Sequence, residues 1–421
     1  MKYKKINFGP YNLHMIKTNR FKITTIELIF CNEVKKEEIT ITNFLASAMC
    51  YTTKKYNTKI EFAKKLEELY AAKVFPTCYR LGNAYNFDIN MSLLNDKYSE
   101  KNLLEKGLDF LKEIVFNPNI IDNCYDEKTF KVIKNEEKSQ IERVKEDPRR
   151  YSLLKLLENV NKDEKYSYNA DGYIEDLEKI TRENLCDFHK KLINESIIDI
   201  FIVGDIDFRK VQKIVKEKFN FIGNREANFD PFIKEKKHNK KINELYEKDN
   251  TNQAKLSIAC TMENLTKYER FSVLNLYNLI LGGTADSKFF KNIREKYSLC
   301  YYVSSVGNKL DNLLLITSGI TKENYKKMMT LIKKEMDDMR KGNFTEEELE
   351  KAKKYYLTIL EEIDDKPNQI IASFYAMDKI NTDSIEERKK KTAKVTKEEI
   401  MALANKIHLD TSFLLGGDKK W

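Results

Sequence analysis

The chain has 421 residues, 75 of them basic and 66 acidic, for a formal net charge of +9. At about 150 residues per domain this length implies two or three domains, and the 41% apolar fraction is enough to fill their cores. The excess charge is spread thinly, with no focused basic patch of the nucleic-acid-binding kind and no apolar run near the ~20 residues of a membrane span. In chain order, 22–30 (KITTIELIF) is β-branched and apolar and predicts a strand. Residues 39–51 (ITITNFLASAMCY) have helical apolar spacing, and 61–71 (EFAKKLEELYA) is a second amphipathic helix. Residues 74–79 and 84–94 read as a hairpin around Gly82-Asn83. An amphipathic helix over 103–115 ends at Asn117-Pro118, and a long charged helix is expected over 122–144. Asp147-Pro148 breaks it and starts another, because proline cannot continue a helix but suits its first turn. Residues 192–203 run into a strand closing on Gly204-Asp205.

The second half repeats this order. Tyr125 and Phe344 precede long charged helices that break at Pro148 and Pro367, and both pairs are 219 positions apart. Residues 180–185 (ITRENL) before 202–205 (IVGD) match 395–400 (VTKEEI) before 415–418 (LGGD). Residues 66–72 (LEELYAA) before Gly82-Asn83 match 293–299 (IREKYSL) before Gly307-Asn308. A period this long is not a solenoid. It implies two homologous domains, 1–225 and 245–421, joined by a linker at 226–244 within the polar stretch 224–250. Hairpins beside long helices, with no GxGxxG and no GxxxxGK[ST], exclude a doubly wound nucleotide fold.

The stretch 282–305 (GGTADSKFFKNIREKYSLCYYVSS) concentrates unusual residues. Two glycines close an apolar run over 271–281, a helix-like segment follows over 288–296, and an aromatic strand is expected at 299–304. Arg294 near the helix end and Tyr301 at the strand start bring a guanidinium and a phenol to one corner, where they could grip a carbonyl or carboxylate. Tyr302, next in a strand, belongs on the opposite face, so only one of the two tyrosines can join Arg294. The seven cysteines are odd in number, widely spaced and never CxxC, which fits reduced thiols in a cytoplasmic protein. The basic N-terminus has no uninterrupted apolar core, so no secretory signal is expected. The four histidines, His14, His189, His238 and His408, never pair at helical spacing and read as structural or surface groups.

Taken together, the duplication and the motifs resemble the pitrilysin/insulinase family of zinc peptidases, the inverzincins, over nearly the whole chain. The family carries H-x-x-E-H on the first long helix, in a pattern like HFLEHMLFKGT. Two histidines on one helical face hold zinc, the glutamate takes a proton from the bound water, and a later glutamate completes the coordination. Here the matching helix keeps Phe44, Leu45 and Thr53 but has Asn43, Ala46 and Ser47 at the three chemical positions. The distal glutamate is expected at Glu136, and one carboxylate cannot hold a catalytic zinc. The second-domain pattern LF-x-x-x-R-E-K-x-x-L-x-Y is matched from Phe289-Phe290 through Arg294 to Tyr301.

The resemblance implies an α+β chain of two homologous domains, each a largely antiparallel sheet packed with helices. In the family, the Arg and Tyr hydrogen-bond the backbone of a peptide laid across the zinc site, and some members are heterodimers with zinc on one subunit and Arg/Tyr on the other. The chain is similar to the second kind, in the small bacterial two-domain type. It implies a dimer with an H-x-x-E-H-containing partner that carries the zinc, a peptide substrate held by Arg294 and Tyr301, and no metal or other cofactor of its own. A non-proteolytic peptide-binding or scaffold subunit of a larger assembly is the alternative, and an autonomous zinc peptidase lacks the ligands.

Overall fold

The computed structural model describes residues 1–223, 225, 228–249 and 253–416. Part of the polar stretch 224–250 and the last glycine-containing motif, at 417–418, lie outside the described residues. Two compact units organise the chain.

The first unit comprises Met1–Glu142, Asn169–Asp230 and Asp365–Ala372. Its strands are β1 (Lys2–Asn7), β2 (Asn12–Lys17), β3 (Ile23–Glu33), β4 (Lys73–Leu81) and β5 (Ala84–Leu94). The short β6 (Ile120–Ile121) and β7 (Cys124–Tyr125) form a separate ribbon, and β8 (Ile197–Gly204) returns to the main sheet. The six-stranded order is β1-β2-β8-β3-β5-β4, antiparallel throughout except for the parallel β2–β8 pair. Strand β5 shows why the sheet has a core face. Phe87, Ile89, Met91 and Leu93 alternate along it and join the hydrophobic core, as the two-residue period of a strand requires. Asn86, Asp88 and Asn90 occupy the other face and are buried too.

Four helices of this half matter for the site: α1 (Lys36–Met49), α2 (Lys59–Glu68), α3 (Leu103–Phe116) and α4 (Glu127–Glu146). Phe44, Leu45 and Met49 of α1 and Leu108, Leu111 and Val115 of α3 pack into the same core as β5. Helix α4 begins later than its charge pattern predicts. Residues 120–125 instead form the β6–β7 ribbon, whose turn residues Asp122 and Asn123 have positive φ. The break expected at Asp147-Pro148 is present: the Asp147 carboxylate accepts from the backbone of Arg149 and Arg150 and caps α5 (Pro148–Val160).

The second unit comprises Arg143–Tyr168, Pro231–Asp364 and Ser373–Trp421. Its strands are β9 (Asn243–Glu247), β10 (Ala254–Met262), β11 (Cys300–Asn308), β12 (Leu313–Ile320) and β13 (Ile407–Leu415). They form a sheet in the order β11-β12-β10-β13-β9, antiparallel except for the parallel β13–β9 pair. This repeats β4-β5-β3-β8-β2 strand for strand and direction for direction, so the sequence duplication is a duplication of topology. One face of β10 (Leu256, Ile258, Cys260) joins a core with Leu331, Ile332 and Met336. Helix α5, drawn from the first half of the sequence, covers the other face. There Leu156 and Val160 pack with Ala259, Leu313, Phe413 and Leu415, and the Ser152 hydroxyl lies 2.9 Å from that of Ser257.

Candidate functional site

The first-unit cleft starts from α1. Asn43, Ala46 and Ser47 have the i, i+3, i+4 spacing that puts side chains on one helical face. With Pro76 and Cys78 of β4, Glu137 and Gln140 of α4, and Ala170 and Asp171 from the following loop, they line a cavity of about 170 Å³. The loop is built, not merely draped. Gly172 has φ +92°, a backbone region open to glycine, and a Cβ there would meet the Thr40 side chain at 2.6 Å. The Thr40 hydroxyl accepts from the Tyr173 backbone at 3.0 Å, and the Asn169 amide donates to the Gly172 carbonyl at 2.8 Å.

Asn43, Ser47 and Glu137 find partners in or beside the cleft. The Ser47 hydroxyl donates to Glu137 Oε1 at 2.7 Å. The Asn43 amide donates to the Ala170 carbonyl at 2.9 Å, and its oxygen accepts from the Tyr85 hydroxyl at 2.7 Å. Glu137 is 8% exposed. Burial pushes its carboxyl up, the Ser47 hydrogen bond pulls it back, and the charges of Asp171 and Glu136 push it up again. The Cys78 thiol is held well above its ordinary value by burial first and then by Asp88, Glu137 and Cys50, so it offers no thiolate.

This set does not fit zinc. It supplies one carboxylate, partly held toward its neutral form, an alanine where a water-activating base would stand, and a hydroxyl already committed to the carboxylate. The carboxylate is also one residue away from the expected Glu136, which is exposed. On α4 the buried positions Thr129, Ile133, Glu137 and Ile141 recur every four residues, and Glu136 is out of phase with them. Helical phase was the sequence signal that distinguishes the two glutamates.

The expected Arg294 and Tyr301 lie at the junction of a π-helical turn, Phe289–Glu295, and β11. The segment winds more widely than an α-helix, with the Lys296 amide donating to the Lys291 carbonyl at 3.0 Å. Gly282 lets it in: a Cβ there would come within 2.6 Å of both the Phe289 ring and the Ser305 hydroxyl. Arg294 is exposed and its guanidinium lies 4.5 Å from the Phe290 ring centroid. Between Cys300 and Tyr302 the β11–β12 register slips by one residue, so Tyr301 is the extra residue of a β-bulge. It is 73% exposed. Tyr302 is half-buried, with the guanidinium of Arg149 4.9 Å from its ring centroid. Burial pushes the Cys300 thiol up, and the Ser318 hydroxyl and the Arg294 charge pull it back.

Of the histidines, two are buried structural groups. His14 sits between the Tyr3 hydroxyl at 2.8 Å and Asp199 at 3.0 Å. His189 accepts from the Tyr125 hydroxyl and donates to the Val115 carbonyl, each at 3.0 Å, and burial lowers it to about 4. The other two, His238 and His408, stack on each other beside Glu263, a grouping that no sequence spacing announces. Among the described residues no helix is long and apolar enough to cross a membrane.

Residues 179–356 match the family described as Peptidase M16 inactive domain. Over 420 residues the chain is 28% identical to the probable inactive metalloprotease YmfF of Bacillus subtilis (strain 168), covering 98% of this chain and 97% of that protein. Its fold superposes on a conserved protein from Enterococcus faecalis V583 with a TM-score of 0.93, at 26% identity over 100% of both chains. A peptidase M16 inactive domain from Pseudomonas fluorescens has the same fold, with a TM-score of 0.78 at 16% identity over 100% of this chain and 99% of that one. So does a protease from Helicobacter pylori, with a TM-score of 0.78 at 15% identity over 98% and 99%.

Proposed function

We propose that the chain, which matches the peptidase M16 inactive domain over 179–356 and is similar along its length to a probable inactive metalloprotease, serves as the non-metal subunit of a two-subunit peptidase of the M16 (pitrilysin/insulinase) kind. In this reading an H-x-x-E-H partner brings the zinc, and this chain presents Arg294 and Tyr301 to the backbone of a peptide. The observation that carries the reading is a contrast between two places. In the cleft, Asn43, Ser47 and Glu137 are bonded to one another's surroundings and no zinc set remains. At the second place, Tyr301 is the extra residue of a bulge and is exposed, Arg294 seven residues earlier is exposed too, and among the described residues no hydrogen bond or ion pair holds either polar tip.

Arg294 would act as a charge-bearing double donor to peptide carbonyls, and Tyr301 as a single donor whose aim is fixed by the bulge. Neither group does bond-breaking chemistry. Their contribution is to orient an extended peptide, which recognises a partner through its main chain.

The test is peptide hydrolysis by the purified chain alone, by an H-x-x-E-H partner alone, and by the two together. The expected result is activity only in the mixture. There, Arg294→Ala should lower kcat/KM about ten- to a hundredfold, the worth of one charge-assisted hydrogen bond, and Tyr301→Phe about two- to tenfold. Undiminished activity of the partner without this chain, or indifference to Arg294→Ala, would overturn the proposal.

A further inference from the structure

His238, Glu263 and His408 belong to three separate segments of the second unit. One nitrogen of each imidazole and one carboxylate oxygen of Glu263 all lie within 4.8 Å of one another. The two rings stack, with centroids 4.2 Å apart and planes 24° apart. His238 Nδ1 is 2.7 Å from Glu263 Oε1, and the His238 backbone amide donates to the same oxygen at 2.9 Å.

The backbone that carries these groups is fixed. Buried Asp410 grips both sides of His238: Lys236 Nζ lies 2.6 Å from one carboxylate oxygen, and the Asn239 amide donates to the other at 2.9 Å. Glu263 follows β10 directly, and its amide donates to the Lys406 carbonyl at 3.0 Å. His408 stands opposite Thr261 in the β10–β13 ladder. All three side chains are partly exposed, so the cluster is reachable from solvent. Two of the nearby positive charges are already occupied. The Arg340 guanidinium donates to the carbonyls of Ala404 and Ile407, and Lys406 pairs with Glu269.

We propose that His238, Glu263 and His408 form a binding site for a divalent first-row transition metal of the zinc type, distinct from the cleft on α1. Two imidazoles and one carboxylate are a donor set suited to zinc, cobalt, nickel or copper and poorly suited to magnesium or calcium, which take all-oxygen shells. Zinc binds nitrogen at about 2.0–2.1 Å and oxygen at about 2.0–2.2 Å, which sets tetrahedral donors roughly 3.3–3.5 Å apart, so the hydrogen-bonded His238–Glu263 pair must open slightly to admit the ion, within reach of small side-chain rotations. Three protein donors leave the fourth tetrahedral position to water or an exchangeable ligand. The second oxygen of Glu263 remains available to orient that group.

The experiment uses the untagged full chain, freed of metal by chelator dialysis and titrated calorimetrically with zinc, then with magnesium as control. One equivalent of zinc should bind at micromolar affinity or tighter, and magnesium should not bind. His238→Ala, His408→Ala and Glu263→Gln should each weaken zinc by about tenfold or more. Cobalt should give visible bands without the near-ultraviolet thiolate charge-transfer band that any of the seven cysteines would produce. The His238 side chain is 34% exposed, so its truncation leaves the core intact and decides the matter if His408→Ala fails to fold. Absence of saturable zinc binding, affinity unchanged in the variants, or a cobalt–thiolate band would each overturn the assignment. None of these outcomes bears on the peptide-holding role of Arg294 and Tyr301, which is read by hydrolysis with the partner.

Discussion

Two buried titratable sites in the first unit pull its stability in opposite directions with pH. Glu27 and Asp88 are paired on the polar face of the sheet. Burial raises both, taking Glu27 to about 7, and the charge of Glu27 raises Asp88 further. The folded protein therefore holds a proton that the unfolded chain, with an ordinary glutamate near 4.5, has released, so stability falls as pH rises from about 4.5 to 7. His189 has the reverse sign. Its folded value, about 4, lies below the ordinary 6.5, so the unfolded chain binds the extra proton and stability falls as pH drops from 6.5 toward 4. The two slopes offset each other over a shared window. Glu27→Gln removes the Glu27 share of the first slope and leaves the burial of Asp88 in place. The variant should be more stable than the native chain at pH 8 by on the order of 2 kcal/mol. That advantage should vanish near pH 4.5, and loss of stability on acidification should steepen. Urea denaturation at several pH values checks this, and a constant offset at every pH would count against it.

At the scale of single elements, the junction of the π-helical turn and β11 depends on Gly282. Gly282→Ala puts a methyl against the Ser305 backbone as well as two side chains. It should cost about 1–3 kcal/mol, the range for overpacking, measured as a lowered urea midpoint with an unchanged slope. The sequence made much of this fold legible because periodicity survives in it. The alternation of β5, the stripe of α1, the hairpin at Gly82 and the break at Pro148 all follow local rules. What escaped it was set by tertiary detail. The one-residue displacement from Glu136 to Glu137 is a matter of helical phase against the core. The exposure of Tyr301 comes from a register slip with β12, which depends on the partner strand and not on the residues around Tyr301. The grouping of His238 with Glu263 and His408 requires three segments to converge, and no spacing within any one of them encodes that.

At the scale of the whole molecule, the sequence repeat and the compact units are not divided in the same way. The repeat bounds the domains at about 225 and 245, whereas Arg143–Tyr168 lies in the second unit and Asp365–Ala372 in the first. A fragment spanning 231–421 would leave Ala259, Leu313, Phe413 and Leu415 without Leu156 and Val160 above them. Such a fragment should bind a hydrophobic dye strongly, and a version with 143–168 fused to it should bind far less. Equal dye binding by both would mean that α5 contributes little to covering the sheet.

The placement of α5 also bears on how the protein responds to a protease. A single cut in the polar linker at 226–242 severs the covalent path between the two halves of the sequence. It does not release them, because the N-terminal piece still has its helix lodged in the other unit's core, and dissociation requires stripping that helix from the sheet. The nicked protein should therefore elute at its original size from a gel-filtration column, run as two bands once denatured, and come apart only at the denaturant concentration that unfolds the second unit. In kinetic terms the chain carries its own clasp, so an early proteolytic nick is a silent event.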